Sequence, residues 1–190
     1  MGVRRLIYSL SVSLDGFIET SDHRIDWVIV DEELHTFFNE QARGVDIEIY
    51  GRRMYELMIG YWPTADSVPG TSAVEVEYAQ IWTMLPKLVF SKTLQHVEWN
   101  SRLAKNSIVD EIAALKAQPG RDIGIGGADI ASTCIRLGLI DEYQLFVNPV
   151  VLGEGIPFFP KLESPIQLKL LETRKFNAGV VYLRYEAVRN

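Results

Sequence analysis

The order of two hydrophobic patterns constrains the fold of this chain more than any other feature. Apolar and polar residues alternate from Leu6 to Leu14, and this period of two predicts a β-strand. Further on, apolar residues recur at helical spacing, as at Leu34, Phe37 and Phe38. Strand and helix patterns then alternate several times before strands alone complete the chain. This order predicts one α/β domain over residues 1–190, with a mixed, mostly parallel sheet flanked by helices and an antiparallel C-terminal hairpin.

The individual segments follow from periodicity and from start and stop signals. Predicted strands cover residues 6–14, 45–51, 88–90, 122–125, 142–152, 166–176 and 180–188. Predicted helices cover residues 32–42, 52–59, 75–85, 108–118 and 130–137, the first with Asp31 as its N-cap. Residues 15–30, 60–70 and 153–160 are predicted loops. Glu48 falls on the polar face of the second strand, where we expect an exposed or paired acid and not a proton source.

Composition limits the possible partners. The 190 residues carry a net charge of -6, which argues against nucleic acid or an anionic membrane, because both need a basic surface. No apolar run is long enough to span a bilayer. The lone Cys134 is expected to be a buried thiol, and no metal-binding motif occurs, so no metal site is predicted. These features predict a soluble, cytoplasmic protein that acts on a small molecule.

Three predicted strands end in glycine, hydroxyl and basic residues. They are followed by Gly51-Arg52-Arg53, by Ser91-Lys92-Thr93 and by Gly126-Gly127-Ala128-Asp129. The carboxyl ends of parallel strands meet at one edge of a sheet, where ligands bind. Helix N-termini and basic side chains there attract phosphate, and glycine lets the backbone approach it. Each end alone is explained as readily by a structural turn, but together they predict a site for a nucleotide with several phosphates.

Eight short motifs occur in a fixed order along the chain. They are segments 12–18 (VSLDGFI), 26–27 (DW), 51–56 (GRRMYE), 61–63 (YWP), 91–94 (SKTL), 126–128 (GGA), 138–142 (GLIDE) and 149–155 (PVVLGEG). This ordered set resembles the dihydrofolate reductase-like superfamily, and within it the branch related to the reductase domain of the bifunctional riboflavin-biosynthesis enzyme. The resemblance covers about residues 3–188.

This resemblance implies NADPH as cofactor, hydride transfer to a pterin or an aminopyrimidine riboside, and a homodimer. It also implies cofactor-binding roles in four groups. Val12, Gly16 and Ile18 would face the nicotinamide. Gly51, Arg52, Arg53 and Met54 would meet the pyrophosphate, and Ser91, Lys92 and Thr93 the adenosine ribose with its 2'-phosphate. Gly126, Gly127, Ala128, Asp129 and Ile130 would hold the pyrophosphate from the other side.

The resemblance also suggests an acid on the first helix. Folate reductases carry a carboxylate four residues before a phenylalanine of the substrate site, and here Glu33 precedes Phe37 by four. Glu33 is therefore expected to project toward the substrate cleft as the proton donor, with an ordered water as the alternative. Glu33 and its neighbour Glu32 are equally explained as acids that stabilise the helix N-terminus. Trp27 is expected at the rim of the cleft, against the substrate or simply packed.

Two further functions stay open. Met54 stands where the family often has threonine, so one hydroxyl donor to phosphate is missing. That departure favours a non-catalytic nucleotide-binding module on the same fold. A weaker alternative is an enzyme that modifies a pterin or a drug with a different cofactor.

Overall fold

The computed structural model describes residues 4–189. Their strands are β1 (Leu6–Ser13), β2 (Phe17–Glu19), β3 (Val45–Gly51), β4 (Lys87–Phe90), β5 (Ser101–Leu103), β6 (Asp122–Gly126), β7 (Glu142–Asn148), β8 (Ile156–Pro157), β9 (Leu168–Lys175) and β10 (Val181–Ala187). The main sheet has eight strands in the order β5-β4-β3-β6-β1-β7-β10-β9. In this order the six strands from β5 to β7 run parallel, whereas β10 is antiparallel to both of its neighbours. The mixed, mostly parallel sheet with its antiparallel C-terminal hairpin is thereby confirmed.

Five α-helices connect and cover these strands: α1 (Glu32–Gly44), α2 (Arg52–Ile59), α3 (Ala73–Met84), α4 (Ile108–Lys116) and α5 (Ala128–Arg136). Asp31 begins α1 as expected, because its Oδ1 accepts a hydrogen bond of 2.8 Å from the backbone N–H of Leu34. None of the helices in the described range is long and apolar enough to cross a membrane.

Several short elements lie in segments predicted as loops or in a stretch for which no element was predicted. β2 and β8 form a separate two-stranded antiparallel sheet, and Trp62–Ser67 is a 3-10 helix. Residues 101–103 add the edge strand β5. These pieces are too short to show a period, and their pairing joins distant parts of the chain. β7 ends at Asn148 and not at 152, because Pro149 lacks the N–H that would continue the ladder.

The two faces of the main sheet differ in chemistry, and this difference positions the site. One face carries the apolar side chains of the main core, which α4 and α5 cover. On the other face, α1 packs on Phe146 and Tyr182, while Tyr50 packs with Trp82 of α3. Between these two clusters the sheet presents mainly polar residues, and there α1 leaves a cavity.

Candidate functional site

A large cleft lies at the carboxyl ends of β3, β4 and β6. Its volume is about 1090 Å³, which exceeds the roughly 300–1,000 Å³ typical of small-ligand pockets. Ten of the residues predicted to hold a cofactor line it: Gly51, Arg52, Arg53, Met54, Ser91, Lys92, Gly127, Ala128, Asp129 and Ile130. The three strand ends therefore meet as the sequence predicted.

Backbone N–H groups at two helix starts face this cleft. Gly51 caps α2 and Gly127 caps α5, and neither supplies a side chain to bond the free N–H groups behind it. Gly127 has a φ of 101°, and a Cβ there would lie 3.1 Å from the Cβ of Met54. A side chain at residue 127 would therefore be strained and would crowd the start of α2.

Charged groups of both signs line the cleft. Arg53 donates a 2.5 Å hydrogen bond to Glu19, which also contacts His23. Arg52 reaches the Thr93 hydroxyl at 3.4 Å, which places Thr93 beside the cleft. Within residues 4–189, Lys92 takes part in no ion pair, so its charge is available to a ligand. Glu19, His23, Lys105 and Asn106 also line the cleft. The sequence analysis missed them because Glu19 and His23 lie in a predicted loop and Lys105 and Asn106 in a stretch with no predicted element.

The remaining predicted cofactor residues lie elsewhere. Val12 and Ile18 are almost fully buried in the core, and Gly16 forms the turn between β1 and β2 at a φ of 92°. None of these three lines the cleft. Their contact with a nicotinamide stays a prediction. Gly126 lies at the end of β6 and lines a second, smaller space.

That second space is a cavity of about 390 Å³ between α1 and the polar face of the sheet. Its walls are rich in flat and polarizable side chains: His35, Phe38, Met54, Met58, Trp62, Tyr78 and Phe146. Met54 lines both the cavity and the cleft. A Cβ on Gly126 would lie 3.1 Å from the Cε of Met54, so the glycine makes room for the methionine where the two spaces meet.

Glu48 points into this cavity, which corrects the expectation of an exposed or paired acid. Glu48 is half-buried and lines the cavity. Burial raises the pKa of Glu48 to about 8, although the charge of Lys87 opposes the shift. The polar strand face was read correctly from the sequence, but the helix that covers it could not be placed from local pattern.

The expectation that Glu33 projects toward the cleft is wrong. Its carboxylate accepts hydrogen bonds of 3.0 Å from Arg174 and 3.1 Å from the backbone N–H of Asn177. Both donors belong to the C-terminal hairpin, and Glu33 lines neither the cavity nor the cleft. Glu33 thus ties α1 to the hairpin.

Phe37 and Trp27 also lie outside both spaces. Phe37 is packed in the core against Phe146, Phe176 and Tyr182, so its expected contact with substrate is contradicted; the neighbouring Phe38 lines the cavity instead. Trp27 is partly buried, and in the described part of the chain its Nε1 has no hydrogen-bond partner. This position agrees with the interpretation of Trp27 as a packing residue.

The fold is dihydrofolate reductase-like. The chain belongs to the family of the RibD C-terminal domain, whose model matches residues 4–182. Two Bacillus subtilis relatives are both uncharacterized: YyaP is 37% identical over 96% of this chain and 94% of its own length, and YwjB is 31% identical over 93% and 95%.

Solved structures share the fold. A putative riboflavin biosynthesis protein from Shewanella sp. PV-4 has a TM-score of 0.77 at 24% identity, covering 97% of this chain and 99% of its own. Enterococcus faecalis dihydrofolate reductase, complexed with NADP(H) and RAB-propyl, has a TM-score of 0.63 at 14% identity, covering 96% of each chain. The Thermotoga maritima deaminase/5-amino-6-(5-phosphoribosylamino)uracil reductase has a TM-score of 0.66 at 14% identity, covering 97% of this chain and 57% of its own.

Proposed function

We propose that this protein is an NADPH-dependent reductase that reduces a flat nitrogen heterocycle. The observation that carries the proposal is the junction at Met54, the residue that lines both a cleft suited to a dinucleotide and an aromatic cavity. Hydride transfer requires the two reacting carbons to lie about 3–3.5 Å apart. A nicotinamide bound beside Met54 would face a ring held in the cavity.

The residues of the cleft suit NADPH. No side chain bonds the first backbone N–H groups of α2 and α5, so these groups are free to bind a pyrophosphate. Gly127 keeps the approach free of side chains. Arg52 and Lys92 add positive charge beside the hydroxyls of Ser91 and Thr93, a combination that suits a 2'-phosphate. When bound, the cofactor supplies the hydride, and the protein supplies orientation and shelter from water.

The cavity suits a one-ring or two-ring heterocycle. Its 390 Å³ falls near the lower end of the range for small-ligand sites. Phe38, Trp62 and Phe146 offer aromatic surface against which a flat ring packs. Pterin-like compounds and aminopyrimidine ribosides have this shape, and the names of the structural relatives support the same class.

Thermal unfolding with and without nucleotide tests the cofactor. NADPH at about 100 times its dissociation constant is expected to stabilise the protein by about 2.7 kcal/mol, which raises Tm by roughly 5–11 °C. NADH at the same concentration should give a smaller rise. Lys92→Ala should weaken NADPH binding about tenfold and leave NADH binding nearly unchanged, because only NADPH carries the 2'-phosphate. Lys169→Ala, on the exposed edge strand β9, is the matched control and should behave as the wild type. No shift with either nucleotide contradicts the proposed function.

The alternative is a nucleotide-binding module without catalysis. Met54 favours it, because the side chain stands in the passage between cleft and cavity. That alternative predicts NADPH binding but no oxidation of NADPH with any pterin or aminopyrimidine riboside that binds the cavity.

A further inference from the structure

The carboxyl of Glu48 occupies a place that the sheet leaves open for it. Glu48 lies beside Gly124 of the neighbouring strand β6. A Cβ on Gly124 would collide with the Glu48 carboxylate, so the missing side chain provides the space. Within residues 4–189 no hydrogen bond to this carboxyl is formed. Glu48 is half-buried, and without a partner its carboxyl is costly to ionise there; its free hydrogen-bonding capacity faces the cavity.

The nearest cation does not satisfy this acid. Lys87 is the partner of Glu48 in the register of β3 and β4. Its Nζ donates to the backbone oxygens of Trp82, Leu85 and Trp99 at 2.6, 2.7 and 2.8 Å. Because the ammonium is held by carbonyls, burial dominates and the pKa of Glu48 rises to about 8. The other titratable and charged groups that face the cavity are Tyr50 on β3, Tyr78 on α3, His35 on α1, and Arg5, Asp122, Glu142 and Arg184 at its far end.

The distance from Glu48 to the junction matches the size of a small heterocycle. Tyr50 and Gly126 line the cavity beside Met54. Glu48 precedes Tyr50 by two residues on the same face of β3, and a strand rises about 3.3 Å per residue. The acid therefore lies roughly 7 Å deeper than the junction. A ring system that contacts Glu48 at one edge reaches the junction with the other.

We propose that Glu48 is the catalytic acid of this protein, which binds the edge of the heterocycle in the cavity and delivers the proton that accompanies hydride transfer. The inference rests on the proposed reductase function, and it replaces Glu33 by a residue from β3. A protonated carboxyl donates one hydrogen bond and accepts another. A protonated Glu48 therefore selects a heterocycle whose edge has an acceptor next to an N–H donor, such as the amino or lactam edge of a pyrimidine or pterin.

The electrons and the proton of the reduction are all accounted for when Glu48 is the acid. The carbon of a substrate C=N bond receives a hydride with its electron pair from the reduced nicotinamide, which is oxidised. The π electrons of that bond move to the nitrogen, which lies near the junction and takes a proton that Glu48 passes on through water in the cavity, so that Glu48 becomes a carboxylate. A proton from solvent then restores the acid. Its path is the cavity itself, which continues past Ser9 to Arg5 and Arg184, whose side chains are 40% and 28% exposed.

Infrared spectroscopy tests the acid without any need for turnover. The wild type at neutral pH should show the carbonyl stretch of a protonated, buried carboxyl, and Glu48→Gln should lack it. Glu33→Gln removes a carboxyl outside the cavity and should keep the band. A spectrum in which wild type and Glu48→Gln do not differ in this band overturns the proposal.

Calorimetry with isocytosine, which presents an amino and lactam edge, tests the contact. Glu48→Gln keeps a donor and an acceptor and should bind within about threefold of the wild type, whereas Glu48→Met should bind about tenfold more weakly or worse. Wild-type affinity should fall above about pH 8 relative to that of Glu48→Gln. Absence of binding by the wild type, or equal binding by Glu48→Met, overturns the proposal.

Oxidation of NADPH with 7,8-dihydropterin, which carries a C=N bond, separates this inference from the proposed function. Glu48→Gln should lower kcat about 100-fold or more and change KM little, while Glu33→Gln should leave both unchanged. Normal turnover by Glu48→Gln refutes its role as acid and leaves the reductase function intact. If the wild type oxidises no NADPH, the reductase function fails, and the infrared and binding results still decide whether Glu48 is the protonated anchor of the cavity.

Discussion

Glu48→Gln is expected to stabilise the protein increasingly as pH rises, by about 3–4 kcal/mol between pH 5 and pH 8 relative to the wild type. The folded protein holds the pKa of Glu48 at about 8, against 4.5 in the unfolded chain. Between these values the unfolded state loses the proton while the folded state keeps it. Wild-type stability therefore falls by up to about 1.4 kcal/mol per pH unit over this window. Glutamine cannot ionise, so the variant lacks this loss.

Urea unfolding across this pH range measures the difference in free energy, and thermal unfolding measures the difference in Tm. The gap in Tm between the two proteins should widen by roughly 6–16 °C from pH 5 to pH 8. Lys87 is buried beside Glu48 and its pKa also depends on the charge of Glu48, so the comparison reports on the pair and not on Glu48 alone. Glu33→Gln serves as the control, since its carboxyl lies at the hairpin and not in the cavity. If the stability of wild type and of Glu48→Gln depends on pH in the same way, Glu48 is ionised in the folded state and the prediction is contradicted.

Gly155→Ala should lower the free energy of unfolding by about 3 kcal/mol or more and should weaken NADPH binding. Gly155 has a φ of 151°, and a Cβ there would collide with the backbone oxygen of Glu19. The collision separates β2 from β8, and β2 carries Glu19, which holds Arg53 at the cleft. Both strain and steric overlap act at this position, so the cost lies in the upper range for single substitutions.

Gly153→Ala is the matched control in the same loop. Gly153 also has a positive φ, 80°, but a Cβ there meets nothing within 4 Å. The substitution should lower the free energy of unfolding by only about 1–2 kcal/mol, which is the cost of a left-handed backbone conformation at a residue with a side chain. Denaturant unfolding compares the two variants. Equal losses would show that β2 and β8 are not tightly coupled at Gly155.

The cleft could be predicted from the sequence because its parts are local. Glycine and basic residues at strand ends are visible in the chain, and a parallel sheet necessarily brings its carboxyl ends to one edge. Asp31 likewise caps its helix as expected, because capping depends on residues three apart. The predicted and observed helices differ by only a few residues at their ends.

The acid could not be predicted, because its environment is built from distant segments. Spacing correctly places Glu33 and Phe37 on one helix face, but that face packs on the C-terminal hairpin, some 140 residues further along the chain. A polar residue on a strand face reads as solvent-exposed until the covering helix is known. Glu48 has that pattern. In the fold, α1 forms part of the cavity wall above it, and Gly124 leaves space for its carboxyl.

The crystal structure of the protein with NADPH and isocytosine tests the central claim most directly. The nicotinamide ring should lie beside Met54 and Tyr50, with its reactive carbon about 3–3.5 Å from the heterocycle. The amino and lactam edge of isocytosine should contact Glu48 at the opposite end. A nicotinamide directed away from the cavity, or a heterocycle bound outside it, contradicts the assignment of the two spaces to cofactor and substrate.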